Sequence, residues 1–290
     1  MYPSRFRYES PTSLDEAIEI LSTVQDAKVL AGGQSLIPMM KLRFATPATI
    51  VDINNIPGLD YHRADADGTY RIGALCRHAQ LEKSTTLAAD QPLLAEAAPL
   101  VADPIVRTRG TLVGSVCHAD PQGDWASCMV ALGGSVVAQG PDGRRSIEVK
   151  SFVSGPFTNA LAHNEIAVEA TVPRALGRRT GGYLKLERRV GDFATAGVAV
   201  SLDMTGNTVG QAGIGLTGVG SQTINAEEAA QALVGTSLDD DAIARAAELA
   251  AAASTPRGDH RGSADYKRHI IATFVERIIA NVKRTEMAGV

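Results

Sequence analysis

The first 57 residues combine one helical stripe with two short strand-like runs. Ser13 and Glu16 have the spacing of a capping box, in which serine and glutamate side chains satisfy amides at a helix N-terminus. Three apolar residues then recur at helical spacing: Ala17, Ile18 and Leu21. Runs rich in apolar and β-branched residues follow at positions 27–30 and 48–53, and Pro57-Gly58 ends the second run. The pattern predicts a small strand–helix–strand subdomain over residues 1–57.

From residue 58 to residue 176, predicted strands alternate with predicted helices. Strands are expected at 70–75 and 135–139, and helices at 93–100 and 125–132. The basic, glycine-containing segment 174–182 follows Pro173, and its composition predicts an interdomain linker. We therefore expect a second domain over residues 58–176.

The remaining residues, 177–290, place strands before helices. Strands are predicted at 183–189, 197–204 and 212–217, and helices at 226–233, 239–253 and 265–283. The last helix has an apolar face that consists of Tyr266, Ile270, Phe274, Ile278 and Val282. Strands followed by helices predict a separate C-terminal α+β domain.

Composition narrows the possible functions. A net charge of −4 and a pI near 5.9 argue against nucleic-acid binding, which requires a basic surface, and 4% aromatic residues offer few stacking platforms. No apolar run is long enough to cross a bilayer, and the N-terminus lacks a signal-peptide pattern, so we expect a cytoplasmic protein without membrane insertion. The spacings of Cys76, Cys117 and Cys128 predict neither a disulfide framework nor a zinc or iron–sulfur ligand set. If the protein transfers electrons, its metal centres lie in other chains.

A first glycine-rich segment follows the predicted strand at 27–30. It reads Leu30-Ala31-Gly32-Gly33-Gln34-Ser35-Leu36. Consecutive amides in such a loop can converge on a diphosphate, and glycine would allow the phosphate to approach the backbone. An ordinary tight turn is the alternative.

A second glycine-rich segment, Arg109-Gly110-Thr111-Leu112-Val113-Gly114-Ser115, precedes His118, Asp120 and Asp124. The segment offers amides and a threonine hydroxyl, and carboxylates commonly bind the sugar hydroxyls of nucleotide cofactors. His118 and Asp120 could instead form an acid–base pair or contribute metal ligands. Their spacing in an extended loop does not require them to converge, so no metal site is predicted.

The third glycine-rich segment, Gly213 to Gly218, matches G-x-G-x-x-G literally. A dinucleotide-binding fingerprint requires a helix to begin at its third glycine. Here the residues after Gly218 lack a helical pattern, and the next predicted helix begins near residue 226. We assign this segment to a glycine-rich strand of the C-terminal domain.

The first two loops, taken with their order and spacing, resemble those of the FAD-binding subunits of the xanthine dehydrogenase and carbon monoxide dehydrogenase family. That family has A-G-G-[QH]-S near its N-terminus and T-I-G-G-[SN] further along. This chain has Ala31 to Ser35 and Thr111 to Ser115 at corresponding positions. The similarity extends through residues 36–43, 117–124 and 188–195 and covers essentially the whole chain.

The resemblance implies a fold of the PCMH/VAO type: two α+β FAD-binding subdomains followed by a C-terminal α+β domain like that of the carbon monoxide dehydrogenase flavoprotein. The Ala31–Leu36 and Thr111–Ser115 loops would bind the FAD diphosphate. Further cofactor contacts implied by the resemblance fall on Leu30, Val101, Asp120, Asp124, Ile166, Lys185, Asp192 and Phe193, with the last two beside the flavin ring. No catalytic residue is expected in this chain.

The implied function is that of the medium subunit of a molybdenum hydroxylase. Electrons would pass from a molybdopterin-containing large subunit through [2Fe-2S] clusters in a small subunit to FAD, and then to an external acceptor. The complex would be a dimer of heterotrimers. Two other functions are considered: a self-contained FAD-dependent oxidoreductase, and a flavin-free scaffold subunit.

The second loop departs from the family pattern at one position. Val113 replaces the first of two adjacent glycines. A valine amide can still donate, but its side chain restricts φ and is expected to add bulk beside the phosphate. This substitution is the main feature that favours the scaffold alternative.

Overall fold

A computed structural model describes residues 2–288 of the chain, and its N-terminal sheet has three parallel strands. The elements of this region are β1 (Arg7–Glu9), α1 (Leu14–Thr23), β2 (Ala27–Leu30), α2 (Leu36–Lys41) and β3 (Thr49–Asp52). The strand order is β1-β3-β2. The predicted helix start is confirmed, because the Ser13 hydroxyl accepts from the Glu16 amide at 3.2 Å; the Glu16 carboxylate accepts from the amide of Thr12 at 2.9 Å, not from that of Ser13.

The second sheet is antiparallel and is accompanied by short helices. Its region contains β4 (His62–Ala64), β5 (Tyr70–Gly73), β6 (Ser135–Gly140), β7 (Gly143–Glu148), β8 (Val153–Gly155), β9 (Thr158–Asn159) and β10 (Ile166–Val172). The helices are α3 (His78–Glu82), α4 (Thr85–Asp90), α5 (Pro92–Ala97), α6 (Pro104–Arg107), α7 (Leu112–His118), α8 (Asp124–Ala131) and α9 (Val149–Phe152), with 3-10 turns at Ile53–Asn55 and Ala98–Leu100. The sheet order is β4-β5-β10-β6-β7, and β8 and β9 form a separate pair.

The third sheet is also antiparallel, and long helices cover it. The elements are β11 (Arg178–Leu186), β12 (Ala196–Thr205), β13 (Thr208–Thr217), β14 (Ile224–Asn225), α10 (Glu227–Gln231), α11 (Asp240–Ala253) and α12 (Ala264–Ala288). Their order in the sheet is β11-β12-β13-β14. The predicted linker at 174–182 is therefore too long, because Arg178 to Gly182 pair with Met204 to Val200 as strand residues. The first five residues of β11 include two glycines and two arginines, a composition that is more typical of a coil than of a strand.

Two hydrophobic cores organise the molecule. The first core contains residues from Ala17 to Val172, together with Tyr183 and Ala199, and so includes residues on both sides of the predicted boundary at residue 57. The second core lies between β12, β13 and the helices α10 to α12. Tyr183 of β11 is fully buried and belongs to the first core, so the third sheet contributes a side chain to its neighbour.

The contact between α8 and β13 depends on glycine. A Cβ on Gly213 would lie 1.9 Å from the carbonyl oxygen of Ala131, and one on Gly215 would lie 2.1 Å from that of Ser127. Because side chains alternate along a strand, both glycines present the same face to the helix. The G-x-G-x-x-G segment therefore lies in β13 and its following turn, as predicted, and its glycines allow a helix backbone to approach a strand backbone.

The first core also contains a buried histidine. His78 is 4% exposed, and its Nδ1 accepts a hydrogen bond from Nε1 of Trp125 at 3.0 Å. Burial, with a smaller contribution from Arg107 and Arg77, lowers the pKa of His78 to about 3. The imidazole is therefore neutral in the folded protein.

The burial of His78 predicts that the free energy of unfolding decreases in acid, and that part of this decrease comes from His78 alone. Below pH 6.5 the unfolded chain protonates His78 while the folded chain does not, so stability present above that pH falls as pH decreases toward 3. Between pH 7 and pH 5 the expected loss from this group is about 2 kcal/mol. Urea unfolding at both pH values should show that His78→Asn, which cannot titrate, loses less stability than wild type. Equal losses in the two proteins would contradict the assignment.

Candidate functional site

The first glycine-rich loop connects β2 to α2 and is half-exposed. The amides of residues 32–36 form no hydrogen bond with any residue that the structure describes. The loop's carbonyls are in use: Gly33 accepts from the Ile37 amide at 3.0 Å, and Ala31 accepts from Nδ2 of Asn54 at 2.8 Å. The loop therefore presents a run of amide donors without protein acceptors, which suits an anionic ligand.

The two glycines of this loop are required by contacts within the protein. A Cβ on Gly32 would lie 2.3 Å from the carbonyl oxygen of Arg109 and 2.8 Å from Cα of Gly110. Gly33 has φ +73°, a left-handed conformation that disfavours other residues, and its Cβ would lie 2.7 Å from Cδ1 of Ile37. Gly32 therefore permits the first loop to contact the second, and Gly33 supplies a left-handed turn; the approach of a phosphate to these glycines stays a prediction.

The second loop ends in the first turn of α7. Thr111 caps this helix, since its hydroxyl accepts from the Gly114 amide at 3.1 Å. The amide of Val113 forms no hydrogen bond with described residues, whereas that of Leu112 faces Cys76 across the antiparallel bridge that pairs Arg77 with Thr111. The side chain of Val113 is 2% exposed and packs in the first core. The expectation of bulk beside a phosphate is therefore wrong: the valine keeps an available amide and directs its side chain inward.

A polar network joins the two loops, and its residues were not predicted from the sequence. Nη1 of Arg77 donates to the carbonyl oxygen of Arg109 at 2.7 Å, and Nη2 donates to Oδ1 of Asn54 at 2.5 Å. Asn54 in turn donates to the Ala31 carbonyl of the first loop. Burial, followed by the nearby charge of Arg109, lowers the pKa of Arg77. A single arginine and a single asparagine thus fix the separation of the two loops.

Asp124 and Lys185 meet in a buried cluster at the start of α8. The Tyr183 hydroxyl donates to Oδ1 of Asp124 at 2.6 Å, and Nζ of Lys185 lies 3.4 Å from Oδ2. Nζ also donates to the carbonyl oxygens of Leu100 and Asp192 and lies at ion-pair distance, 3.2 Å, from Glu187. Burial raises the pKa of Asp124, although Lys185 and Tyr183 act in the opposite direction.

The predicted ring-side loop, which contains Asp192 and Phe193, is attached to this cluster. Arg261 donates to the Phe193 carbonyl at 3.2 Å and to Oδ1 of Asp192 at 3.4 Å. Gly191 has φ +85°, and a Cβ there would lie 2.9 Å from the backbone of Ala102. Phe193 itself is 51% exposed. The loop is therefore fixed at its base and presents an exposed aromatic ring.

The other predicted contacts divide into surface and interior positions. Gln34 and Ser115 are half-buried, and so is Asp120, whose Oδ1 accepts from the Gln122 amide at 2.9 Å in the turn between α7 and α8. Val101 is 7% exposed beside Leu100, which accepts from Lys185. Ile166 is 1% exposed at the start of β10. Cofactor contacts at these positions stay predictions, and those at Val101 and Ile166 have little accessible side chain to support them.

His118 was considered together with Asp120 as an acid–base pair or as metal ligands. The His118 ring lies 5.2 Å from that of Phe157, and burial lowers the pKa of His118, although the charge of Asp120 acts in the opposite direction. Within residues 2–288, no group of three or more His, Cys, Asp or Glu residues is arranged to bind a metal ion. No helix in the described part of the chain has the length and hydropathy to cross a membrane.

Comparisons with known proteins agree with this arrangement along the whole chain. Residues 4–175 match the family described as "FAD binding domain in molybdopterin dehydrogenase", and residues 182–282 match "CO dehydrogenase flavoprotein C-terminal domain". The medium chain of carbon monoxide dehydrogenase from Hydrogenophaga pseudoflava is 42% identical over 281 residues, which cover 96% of this chain and 97% of that protein. The medium subunit of nicotine 6-hydroxylase from Paenarthrobacter nicotinovorans is 36% identical and covers 94% and 95%.

Solved structures give the same result. Carbon monoxide dehydrogenase from Hydrogenophaga pseudoflava matches with a TM-score of 0.93 over 99% of both chains, at 42% identity. Quinoline 2-oxidoreductase from Pseudomonas putida 86 matches with a TM-score of 0.90 over 99% of this chain and 100% of that one, at 32% identity. These matches confirm the expected α+β fold class, with an FAD-binding region followed by a flavoprotein C-terminal domain. The chain belongs to the family of FAD-binding medium subunits of the molybdenum hydroxylases.

Proposed function

We propose that this chain binds FAD through the two glycine-rich loops and transfers electrons within a molybdenum hydroxylase complex. The observation that carries the proposal is the run of amides at residues 32–36, which have no acceptor among the described residues; the amide of Val113, in the loop that Gly32 contacts, has none either. Buried or half-buried amides normally find partners, so a diphosphate is a suitable acceptor for this set. The observed loop contact at Gly32 supports a single site made from both segments.

We propose that the remaining predicted residues lie near the flavin ring of FAD. Lys185, Asp124 and the backbone of Asp192 already bind one another, so we propose that they act as a rigid support. Phe193 is the member of this group whose side chain is exposed enough to lie against a flavin ring. Leu30, Asp120, Val101 and Ile166 are proposed as secondary contacts on the strength of the family resemblance.

Bound FAD would accept electrons singly and release them in pairs, which suits a relay between one-electron clusters and a two-electron acceptor. The residues of this chain would orient the cofactor and exclude water from one side. We propose an iron–sulfur small subunit and a molybdopterin large subunit as partners, in a dimer of heterotrimers. Relatives named for carbon monoxide, nicotine and glyceraldehyde have similar medium chains, so we assign the choice of substrate to the large subunit.

The organisation into regions 1–57, 58–176 and 177–290 is also proposed. Each region contains one of the three principal sheets, which supports the division. The shared first core indicates that the first two regions fold as one unit.

The first prediction from this proposal is that FAD is bound without a covalent link. Cys76, Cys128 and His78 are buried, burial raises the pKa of the Cys117 thiol to about 12, and the His118 ring contacts that of Phe157, so none of these residues is an evident point of attachment. Acid precipitation of the purified protein should release all flavin into the supernatant. Yellow colour that stays with the precipitate would contradict the non-covalent assignment, and a colourless native protein would favour the scaffold alternative.

Replacement of Gly33 by valine should weaken FAD binding by at least tenfold. The substitution forces a β-branched residue into a left-handed conformation and places its side chain against Leu30 and Ile37. The matched control is Gly235→Val, because Gly235 has a similar φ of +82° but open space around its Cβ and lies in the C-terminal region. Ultrafiltration with added FAD measures the affinity. Equal FAD affinity in the two variants would exclude the first loop from the site.

If this chain depends on an iron–sulfur subunit and a molybdopterin subunit, the isolated chain should not oxidise a hydroxylase substrate. Its flavin should be reducible by dithionite but not by substrate, since no cluster-ligand cysteine set is present in the sequence. Addition of the large and small subunits should restore bleaching of the flavin by substrate. Substrate-driven bleaching of the homogeneous chain, in a sample free of molybdenum and iron, would instead indicate a self-contained oxidoreductase.

A further inference from the structure

The second loop is enclosed between a glycine and an aromatic ring. On one side, a Cβ at Gly32 would lie 2.8 Å from Cα of Gly110. On the other side, a Cβ at Gly110 would lie 2.7 Å from both Cδ2 and Nε2 of His78. The His78 amide also donates to the Gly110 carbonyl at 2.9 Å. Gly110 therefore has no room to shift toward either neighbour.

The His78 ring is itself fixed by Trp125. The indole Nε1–H donates to Nδ1 of His78 at 3.0 Å, and the ring centroids lie 5.6 Å apart with an interplanar angle of 32°. Trp125 is fully buried and is the second residue of α8, directly after Asp124. This hydrogen bond requires a neutral imidazole with its proton on Nε2. Burial keeps the imidazole in that neutral form.

We propose that His78 and Trp125 are a positioning pair that sets the FAD-binding geometry of the second loop without touching the cofactor. The inference rests on the proposed function, in which both loops bind the FAD diphosphate. The pair connects Gly110 of the loop to the start of α8, where Asp124 meets Lys185. Loss of the hydrogen bond leaves a buried indole donor unpaired and allows the His78 side of the loop to relax.

The chain contains a matched control for this pair. His62 and Tyr70 also form a histidine–aromatic hydrogen bond, between Nδ1 of His62 and the Tyr70 hydroxyl at 2.8 Å, and Tyr70 is fully buried. This second pair joins β4 to β5, and within residues 2–288 it forms no hydrogen bond or ring contact with either glycine-rich loop. Removal of the His62 imidazole should affect stability without a specific effect on FAD.

The experiment compares His78→Leu, His78→Asn, His62→Leu and wild type in the purified complex, with FAD affinity measured by ultrafiltration. His78→Leu, which lacks an acceptor, should weaken FAD binding by at least tenfold. His78→Asn places an amide oxygen near the position of Nδ1 and should stay within about threefold of wild type, as should His62→Leu, since tenfold corresponds to about 1.4 kcal/mol. Trp125→Phe, which keeps an aromatic ring but loses the donor, should reproduce the effect of His78→Leu.

A spectroscopic readout separates positioning from general destabilisation. Trp125 is the one tryptophan of this chain, so its emission, recorded on the chain without its partner subunits, reports the state of this hydrogen bond. His78→Leu should shift that emission, whereas His78→Asn and His62→Leu should leave it unchanged. Wild-type FAD affinity in both His78→Leu and Trp125→Phe would overturn the positioning role. If the wild-type protein bound no FAD, the proposed function itself would fail, which is a distinguishable result. Should His78→Leu fail to fold, Trp125→Phe decides alone.

Discussion

The backbone contact between α8 and β13 determines where the remaining parts of the site can lie. Gly213 and Gly215 let two carbonyls of the helix, from Ser127 and Ala131, approach the strand at distances that no side chain would permit. The helix start is thereby fixed beside β11. Asp124, its first residue, can then meet Tyr183 and Lys185, and the next residue can reach His78 beneath the second loop. A contact made of main-chain atoms alone thus fixes the position of α8, and with it the positions of Asp124 and of the residue that contacts His78.

The charges at this junction are satisfied by several partners at once. Nζ of Lys185 has two carbonyl and two carboxylate oxygens around it, and its side chain is 1% exposed. Removal of one partner from a buried ion pair typically costs about 3–5 kcal/mol, because the remaining charge stays without solvation. Glu187 is the weakest member, since its Oε2 lies near Nζ without hydrogen-bond geometry. The cluster therefore stabilises one relative placement of β11, α8 and the Asp192 loop.

Local pattern predicted α1, α11, α12 and the strands β11 to β13, but not β7, β10 or α7, and it was insufficient for the contacts between elements. The Ser13 cap, the strand before Gly32 and the strand nature of Gly213 to Gly218 depend on neighbouring residues, and each was predictable. The burial of Val113 was not, because the direction of a side chain in a helix's first turn depends on which core lies below it. Arg77 and Asn54 were missed for a related reason: they contact residues more than 20 positions away, and neither has a motif. The family resemblance located both loops, but their mutual contact at Gly32 and Gly110 is a property of the folded chain.

The glycines of β13 also bear on how this protein can change through evolution. A clash between two side chains can be relieved when a second mutation shortens the opposing side chain. At Gly213 and Gly215 the opposing atoms are carbonyl oxygens, which every amino acid carries, so no substitution in α8 can create the missing space. A side chain at either position therefore could not be accommodated by a second mutation at any one residue of α8. We therefore expect homologous chains to retain the first two glycines of a nucleotide-binding signature in this strand for reasons of packing alone.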